Sequence, residues 1–213
     1  MLSIADIRSD YSKESLLEKD VHPHPIQQFH KWWQQAIDSK IEEVNAMTLA
    51  TADASGKPSA RIVLLKGYDE KGFVFFTNYN SDKGKDIACN SNVCLVFFWK
   101  ELERQVRING CAKRISDADS DAYFFSRPFE SQLGAWTSAQ SSRIDSRQIL
   151  EDNFLSVNER FNKEPIIRPP HWGGYVVIPQ SMEFWQGRPS RLHDRILYEL
   201  DEKENWCFVR LSP

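Results

Sequence analysis

Met47-Thr48-Leu49-Ala50-Thr51, the turn Asp53-Ala54-Ser55-Gly56, Arg61-Ile62-Val63-Leu64-Leu65-Lys66, the turn Asp69-Glu70-Lys71-Gly72 and Phe73-Val74-Phe75-Phe76-Thr77 follow one another within residues 47–77. Short β-branched and aromatic runs alternate here with Gly-terminated reversals, so the stretch predicts a three-stranded antiparallel meander. The same texture extends downstream, with strands predicted over 93–99, 105–115, 175–178, 182–185, 195–200 and 206–211. Helical spacing is confined to fewer places. After Pro25, the residues Ile26, Phe29, Trp33, Ala36, Ile37 and Ile41 mark an amphipathic helix, and a short one starts near Ser81. Two more are predicted over 117–126, with Ser116 as N-cap, and over 147–161. Nine short strands joined mainly by hairpins, with flanking helices, predict a mainly β fold built on a closed antiparallel barrel rather than a parallel α/β sheet.

A chain of 213 residues suits one domain. Twenty-seven basic against thirty acidic residues give a net charge of −3, which does not advertise a nucleic-acid or acidic-membrane partner. The four cysteines form no Cys-x-x-Cys pair, and no apolar run reaches membrane-spanning length. Without a signal-like N-terminus, the sequence predicts a cytoplasmic protein with free thiols. Residues 1–24 are polar and end in Val21-His22-Pro23-His24, which predicts an extended, mobile arm before a single domain over 25–213. His22 and His24 lack a third ligand nearby, so no metal site is expected.

The densest chemistry lies in residues 183–195, Glu-Phe-Trp-Gln-Gly-Arg-Pro-Ser-Arg-Leu-His-Asp-Arg. No Gly-x-Gly-x-x-Gly follows a strand and there is no P-loop, so a nucleotide-like cofactor needs another phosphate site. Thr77 and Lys83, a hydroxyl and an ammonium beside the helix start at Ser81, offer one, because the first backbone N–H groups of a helix are unpaired. Arg61 and Lys66 bracket four apolar residues and, on an unbroken strand, face opposite sides. Tyr123, Arg127 and Ser131 are spaced by four, which puts Tyr123 and Arg127 on one face of a helix.

Trp185-Gln186-Gly187 followed by Arg191-Leu192-His193-Asp194-Arg195 closely resembles the C-terminal signature of the pyridoxamine 5′-phosphate oxidases. The resemblance runs along nearly the whole chain in order, to Trp172-Gly173-Gly174 and the terminal Arg210-Leu211-Ser212-Pro213. It implies an FMN-binding split β-barrel that works as a homodimer with FMN at the interface. It also implies oxidation of pyridoxamine and pyridoxine 5′-phosphate to pyridoxal 5′-phosphate, with O2 as acceptor and H2O2 released.

By the same resemblance, FMN is held by Arg61, Ile62, Val63, Leu64, Lys66, Phe76, Thr77, Lys83, Gln105, Gln140, Ser141, Trp185 and Arg195. Gln140 and Ser141 are expected from the second subunit. The substrate is held by Arg8, Tyr11, Lys66, Tyr123, Arg127, Ser131, Arg191 and His193, with Arg8 and Tyr11 in a lid and Arg191 and His193 as the catalytic pair. Two positions depart from the family: Asp82 stands where arginine is usual, and Phe76 replaces a tyrosine. A non-catalytic flavin-binding split barrel is the alternative, but a mere flavin holder has no need of the substrate set. An RNA-binding reading lacks both motif and basic charge.

Overall fold

The computed structural model describes Ser3, Ile4 and residues 10–213. Helix α1 (Pro25–Asp38) begins where His24 Nδ1 accepts from the Ile26 amide at 3.3 Å, with proline at the first helical position. Its Phe29, Trp32 and Ala36 face inward and are buried. Strands β1 (Ala46–Ala52) and β2 (Pro58–Leu64) follow, then β3 (Gly67–Asp69), β4 (Gly72–Asn78), α2 (Asp82–Cys89), β5 (Asn92–Trp99) and β6 (Arg104–Arg114). Helices α3 (Asp117–Ser126), α4 (Phe129–Thr137) and α5 (Arg147–Phe161) precede β7 (Trp172–Gln186), β8 (Asp194–Leu200) and β9 (Trp206–Arg210).

All strand pairings among the described residues are antiparallel. The order is β2-β1-β5-β6-β7-β4-β3, with β8 on the second half of β7 and β9 outside β8. The expected meander over 47–77 is therefore corrected. β1 and β2 do pair, but β4 pairs with β7 and not with β2. The reason is burial: Phe73 and Phe75 on one face and Phe76 and Asn78 among the others leave β4 covered on both sides, which an outer hairpin strand could not be. After Leu64 the chain bends, and the Lys66 amide donates to the Val74 carbonyl at 2.8 Å. That bond extends the β3–β4 hairpin, so the chain passes directly from β2 at one edge of the curled sheet to β3 at the other.

Two further differences have clear causes. The runs predicted over 175–178 and 182–185 belong to one strand, because β7 passes through Pro179 where its register with β6 shifts between Asn109 and Gly110. A bulge requires no ladder N–H from proline at that point. Helix α4 was not anticipated; it is short and only Gln132 and Leu133 are buried on it, so its apolar periodicity is weak.

The core is aromatic. Phe29 meets Tyr68 and Phe73 edge-on at 4.9 Å, with Phe97 and Trp99 beside it. Each such fully buried side chain contributes about 1.5–3 kcal/mol. The arm is tied to the C-terminal strands: Glu103, at φ 56, accepts from the amides of Ser12 and Lys13, and Asp194 accepts from the Leu16 amide. Arg210 pairs with both Glu18 and Asp194, at 2.6 and 2.7 Å.

Candidate active site

A cavity of about 880 Å³ opens between β2, β4, the helices α2 to α4 and the start of β7. Arg61, Ile62, Val63, Leu64, Lys66, Phe76, Thr77, Lys83, Tyr123, Arg127, Ser131 and Gln140 all line it. Twelve residues anticipated from sequence are thus brought to one space. Arg61 and Lys66 reach the same cavity because β2 ends at Leu64 and the chain has already turned at Lys66.

One end of the cavity is built around Lys83. Ser81 caps α2, its hydroxyl accepting from the Gly84 amide at 3.4 Å, and Gly84 is required because a Cβ there would lie 2.2 Å from the Tyr79 carbonyl oxygen. This places the Lys83 ammonium within 3.3 Å of Thr77 Oγ1, 3.4 Å of Ser81 Oγ and 3.3 Å of Gln140 Oε1. Lys83 is only 9% exposed, and its three hydrogen-bond partners are neutral. Burial lowers its pKa, the Arg61 cation lowers it further, and Asp82 opposes both. Arg61 is oriented by Thr51 Oγ1 at 2.7 Å and Ser59 Oγ at 2.6 Å, with Asp86 at 3.9 Å. Two cations converging beside a helix N-terminus are suited to an anion such as a phosphate.

Gln140 and Ser141 join this end from the same chain, which corrects the expectation that the second subunit supplies them to it. Ser141, at φ 73, accepts from the Asp82 amide at 3.2 Å and so occupies one of the first free N–H groups of α2. Asp82 itself is exposed in the first turn and does not line the cavity.

Tyr123, Arg127 and Ser131 line the cavity as well, as does Lys66. Tyr123 and Arg127 do not share a helix face as expected, since α3 stops at Ser126 and Arg127 is its extended C-cap, while Ser131 belongs to α4. Tertiary packing reunites them. Tyr123 stacks on Phe76 at 3.9 Å, Trp172 lies 5.4 Å from Phe76, and the Arg127 guanidinium sits 4.6 Å over Trp172. Arg127 Nη1 is buried without a partner among the described residues, and burial lowers the group's pKa. A buried donor left unpaired costs about 1–3 kcal/mol, so an anion here would satisfy it. Asn78, Pro128, Gly134, Ala135, Ser138 and Trp172 also line the cavity and were missed from sequence, because most contribute shape or backbone and not a distinctive side-chain chemistry.

A separate cluster forms where β7 ends and β6 and β8 begin. Gln105 and Arg195 both face Trp185 in register. Trp185 lies 4.6 Å from His193, and Tyr11 packs edge-on to both at 5.8 and 6.0 Å. Gly187 leaves room for Tyr11, whose ring a Cβ would meet at 2.7 Å. Arg195 bonds the buried Glu183 carboxylate at 2.8 and 3.2 Å, and Arg107 bonds the same group. Arg107 and Glu183 carried no signal as isolated residues, because their pairing is a cross-strand register fact.

The His193 ring accepts the Arg188 amide at Nδ1, 3.1 Å away, which assigns its proton to Nε2. Burial and the nearby Arg191 cation lower its pKa. Ser190 and Arg191 both have left-handed backbones, at φ 57 and 61. Arg8 lies outside the described residues.

These two assemblies sit at opposite ends of β7, Trp172 in the first and Trp185 in the second. At about 3.3 Å per residue, roughly 40 Å of strand separates them.

The sequence matches the family model described as pyridoxamine 5′-phosphate oxidase over residues 33–161, and the pyridoxine 5′-phosphate oxidase C-terminal dimerisation region over 172–213. The chain is 55% identical to pyridoxine/pyridoxamine 5′-phosphate oxidase 1 of Ralstonia nicotianae, and 54% identical to the pyridoxine/pyridoxamine 5′-phosphate oxidase of Burkholderia mallei, over the full length of each. Among solved structures, PhzG from Burkholderia lata 383, in complex with tetrahydrophenazine-1-carboxylic acid, superposes with a TM-score of 0.88 at 28% identity, covering 95% of this chain and all of that one. A pyridoxamine 5′-phosphate oxidase-related, FMN-binding protein from Nostoc punctiforme shares the fold with a TM-score of 0.71 at 17% identity, covering 89% of this chain and 98% of that one.

Proposed function

The chain belongs to the pyridoxamine 5′-phosphate oxidase family, and from that premise we propose that it oxidises pyridoxine and pyridoxamine 5′-phosphate to pyridoxal 5′-phosphate with FMN as cofactor. The alcohol plus O2 gives the aldehyde plus H2O2; the amine plus O2 and water gives the aldehyde, ammonia and H2O2. The observation that carries this reading is that one cavity is lined by four cationic side chains, Arg61, Lys66, Lys83 and Arg127, of which buried Lys83 has only neutral hydrogen-bond partners and Arg127 Nη1 has no partner among the described residues. Two phosphorylated ligands lying side by side, cofactor and substrate, account for both.

The residues fit FMN. Lys83, Arg61, Thr77 and the first turn of α2 would hold its phosphate, and the extended segment Ile62–Val63–Leu64 offers backbone to a flat ring. When bound, FMN supplies a two-electron acceptor that O2 reoxidises. Lys66, Tyr123, Arg127 and Ser131 grip the substrate phosphate, spending that binding on holding the 4′ carbon in place. Arg191 and His193 orient the 4′ substituent. With its proton on Nε2, uncharged His193 meets that substituent as a hydrogen-bond donor.

Gln105, Trp185, Arg195, Arg191 and His193 do not line the cavity of their own chain, and in this reading they complete the partner's site in a homodimer. The C-terminal dimerisation region spans that part of the chain. Arg8 and Tyr11, in the part of the arm ahead of its ties at Ser12 and Lys13, serve as part of a lid over the substrate.

Anaerobic addition of pyridoxine 5′-phosphate to the FMN-loaded protein is expected to bleach the flavin absorbance and leave one pyridoxal 5′-phosphate per FMN. A flavin band that persists would reduce the protein to a passive holder.

A further inference from the structure

The segment Arg168-Pro169-Pro170-His171, just before Trp172, carries no role in the reading above, yet it is joined to α3, to α4, to the start of β7 and to the residue after β4. Arg168 is the centre of it, with a side chain only 10% exposed. Its Nε donates to Asp121 Oδ1 at 2.5 Å, its Nη2 to Asp117 Oδ1 at 2.7 Å and its Nη1 to the Trp172 carbonyl at 2.6 Å. Asp117 and Asp121 stand one turn apart on α3, so a single planar guanidinium grips that helix at two points while holding β7 at a third. Ser120, between them, accepts from the Gly174 amide at 3.3 Å. The neighbouring residues tie in the remaining walls: Trp136 donates to the Ile167 carbonyl at 2.8 Å, His171 lies 3.2 Å from the Ala135 carbonyl, and the Tyr79 amide donates to the His171 carbonyl at 2.7 Å.

What this fixes is the spacing between α3 and Trp172. Tyr123 is on that helix, Arg127 caps it, and the guanidinium of Arg127 rests on the Trp172 ring. Arg168 touches none of the cavity itself. We infer that Arg168 is a positioning residue which, by clamping α3 to the start of β7, sets the geometry of the Tyr123, Arg127 and Trp172 cluster that receives the substrate phosphate. The inference rests on the reading of that cluster given above. Because the clamp acts on the phosphate grip and not on the reacting carbon, its loss falls on KM and leaves kcat and FMN binding nearly intact.

The test uses the full-length FMN-loaded protein, with Arg168→Met compared to wild type. Both the KM for pyridoxine 5′-phosphate and the inhibition constant of inorganic phosphate are expected to rise about tenfold, with kcat and FMN content within about twofold. Arg168→Lys, which keeps the charge but loses the fork, should recover only part of this. A folded variant with both constants unchanged overturns the inference, as does a fall in kcat and FMN content with KM unchanged. If Arg168→Met does not fold, Asp121→Asn removes one grip alone and should raise the same two constants about threefold; no rise is again a refutation. A wild-type protein that does not oxidise pyridoxine 5′-phosphate fails at the first arm, and that failure belongs to the functional reading.

Discussion

Replacing Arg127 by methionine separates binding from stability, because the same side chain is expected to help one and burden the other. In the ligand-free protein Arg127 Nη1 is buried without a partner among the described residues, a defect of about 1–3 kcal/mol. The guanidinium recovers part of that by lying 4.6 Å over Trp172, a contact worth about 0.5–1 kcal/mol at a partly exposed site. Methionine fills similar space without the orphan donor. The substrate-free protein is therefore expected to gain between about zero and 2 kcal/mol, which for a domain of this size raises Tm by no more than about 4–8 °C. Binding moves the other way. A charge-assisted hydrogen bond to a phosphate is worth about 1.5–3 kcal/mol, so KM for pyridoxine 5′-phosphate should rise about ten- to 150-fold while FMN affinity stays the same. The assay is thermal unfolding of the substrate-free protein alongside steady-state kinetics and FMN titration. A variant that loses more than about 1 kcal/mol of stability with KM unchanged would falsify the assignment, since Arg127 would then be a structural residue with a partner in solution.

Subunits carrying Lys83→Met, mixed and refolded with subunits carrying Arg195→Met, should recover about a quarter of the wild-type FMN sites, because random pairing gives half heterodimers, each with one intact composite site; no recovery would mean that both residues serve one chain's site. Asp82→Arg should tighten FMN by about 1 kcal/mol or less, since the position is exposed and screened, with Asp82→Asn giving a smaller gain and Ser81 still capping α2; weaker FMN binding by the arginine variant in a titration of apoprotein would place the side chain's influence elsewhere. Burial and then Arg191 hold the His193 pKa below its ordinary value, so Arg191→Met is expected to raise it, visible as an upward shift in the imidazole NMR titration. The unfolded chain takes up that proton first, so the stability tied to neutral His193 is fully present above the ordinary imidazole pKa and is lost as pH falls through the depressed one.

Much of the site was legible because its chemistry is local in sequence. Ser81 and Lys83 sit on either side of a helix start, and the expected helix over 117–126 has the bounds of α3 with Ser116 as its cap. The strands over 93–99 and 105–115 were also found to within a residue, since alternation along a half-buried strand is written into its own residues. Arg61, Lys66, Tyr123 and Arg127 were singled out by the family resemblance, and all four line the cavity.

Partnership between distant residues was not legible. Pairing of β4 with β7 in place of β2 follows from where two buried faces find cover, and nothing within residues 47–77 encodes the position of Tyr175 or Val177. Arg127 and Tyr123 meet at the cavity because α3 ends between them and Trp172 receives both, not because they are four apart. The Arg107, Glu183 and Arg195 cluster exists only through the registers of β6 with β7 and β7 with β8. The sequence by itself determined most of the elements, the Ser116 cap and the family. The tertiary structure alone decided which end of β7 each chemical group occupies, because strand pairing and the bend after Leu64 are set by burial across the whole sheet, and that placement is what divides the expected site residues between the two ends of one strand.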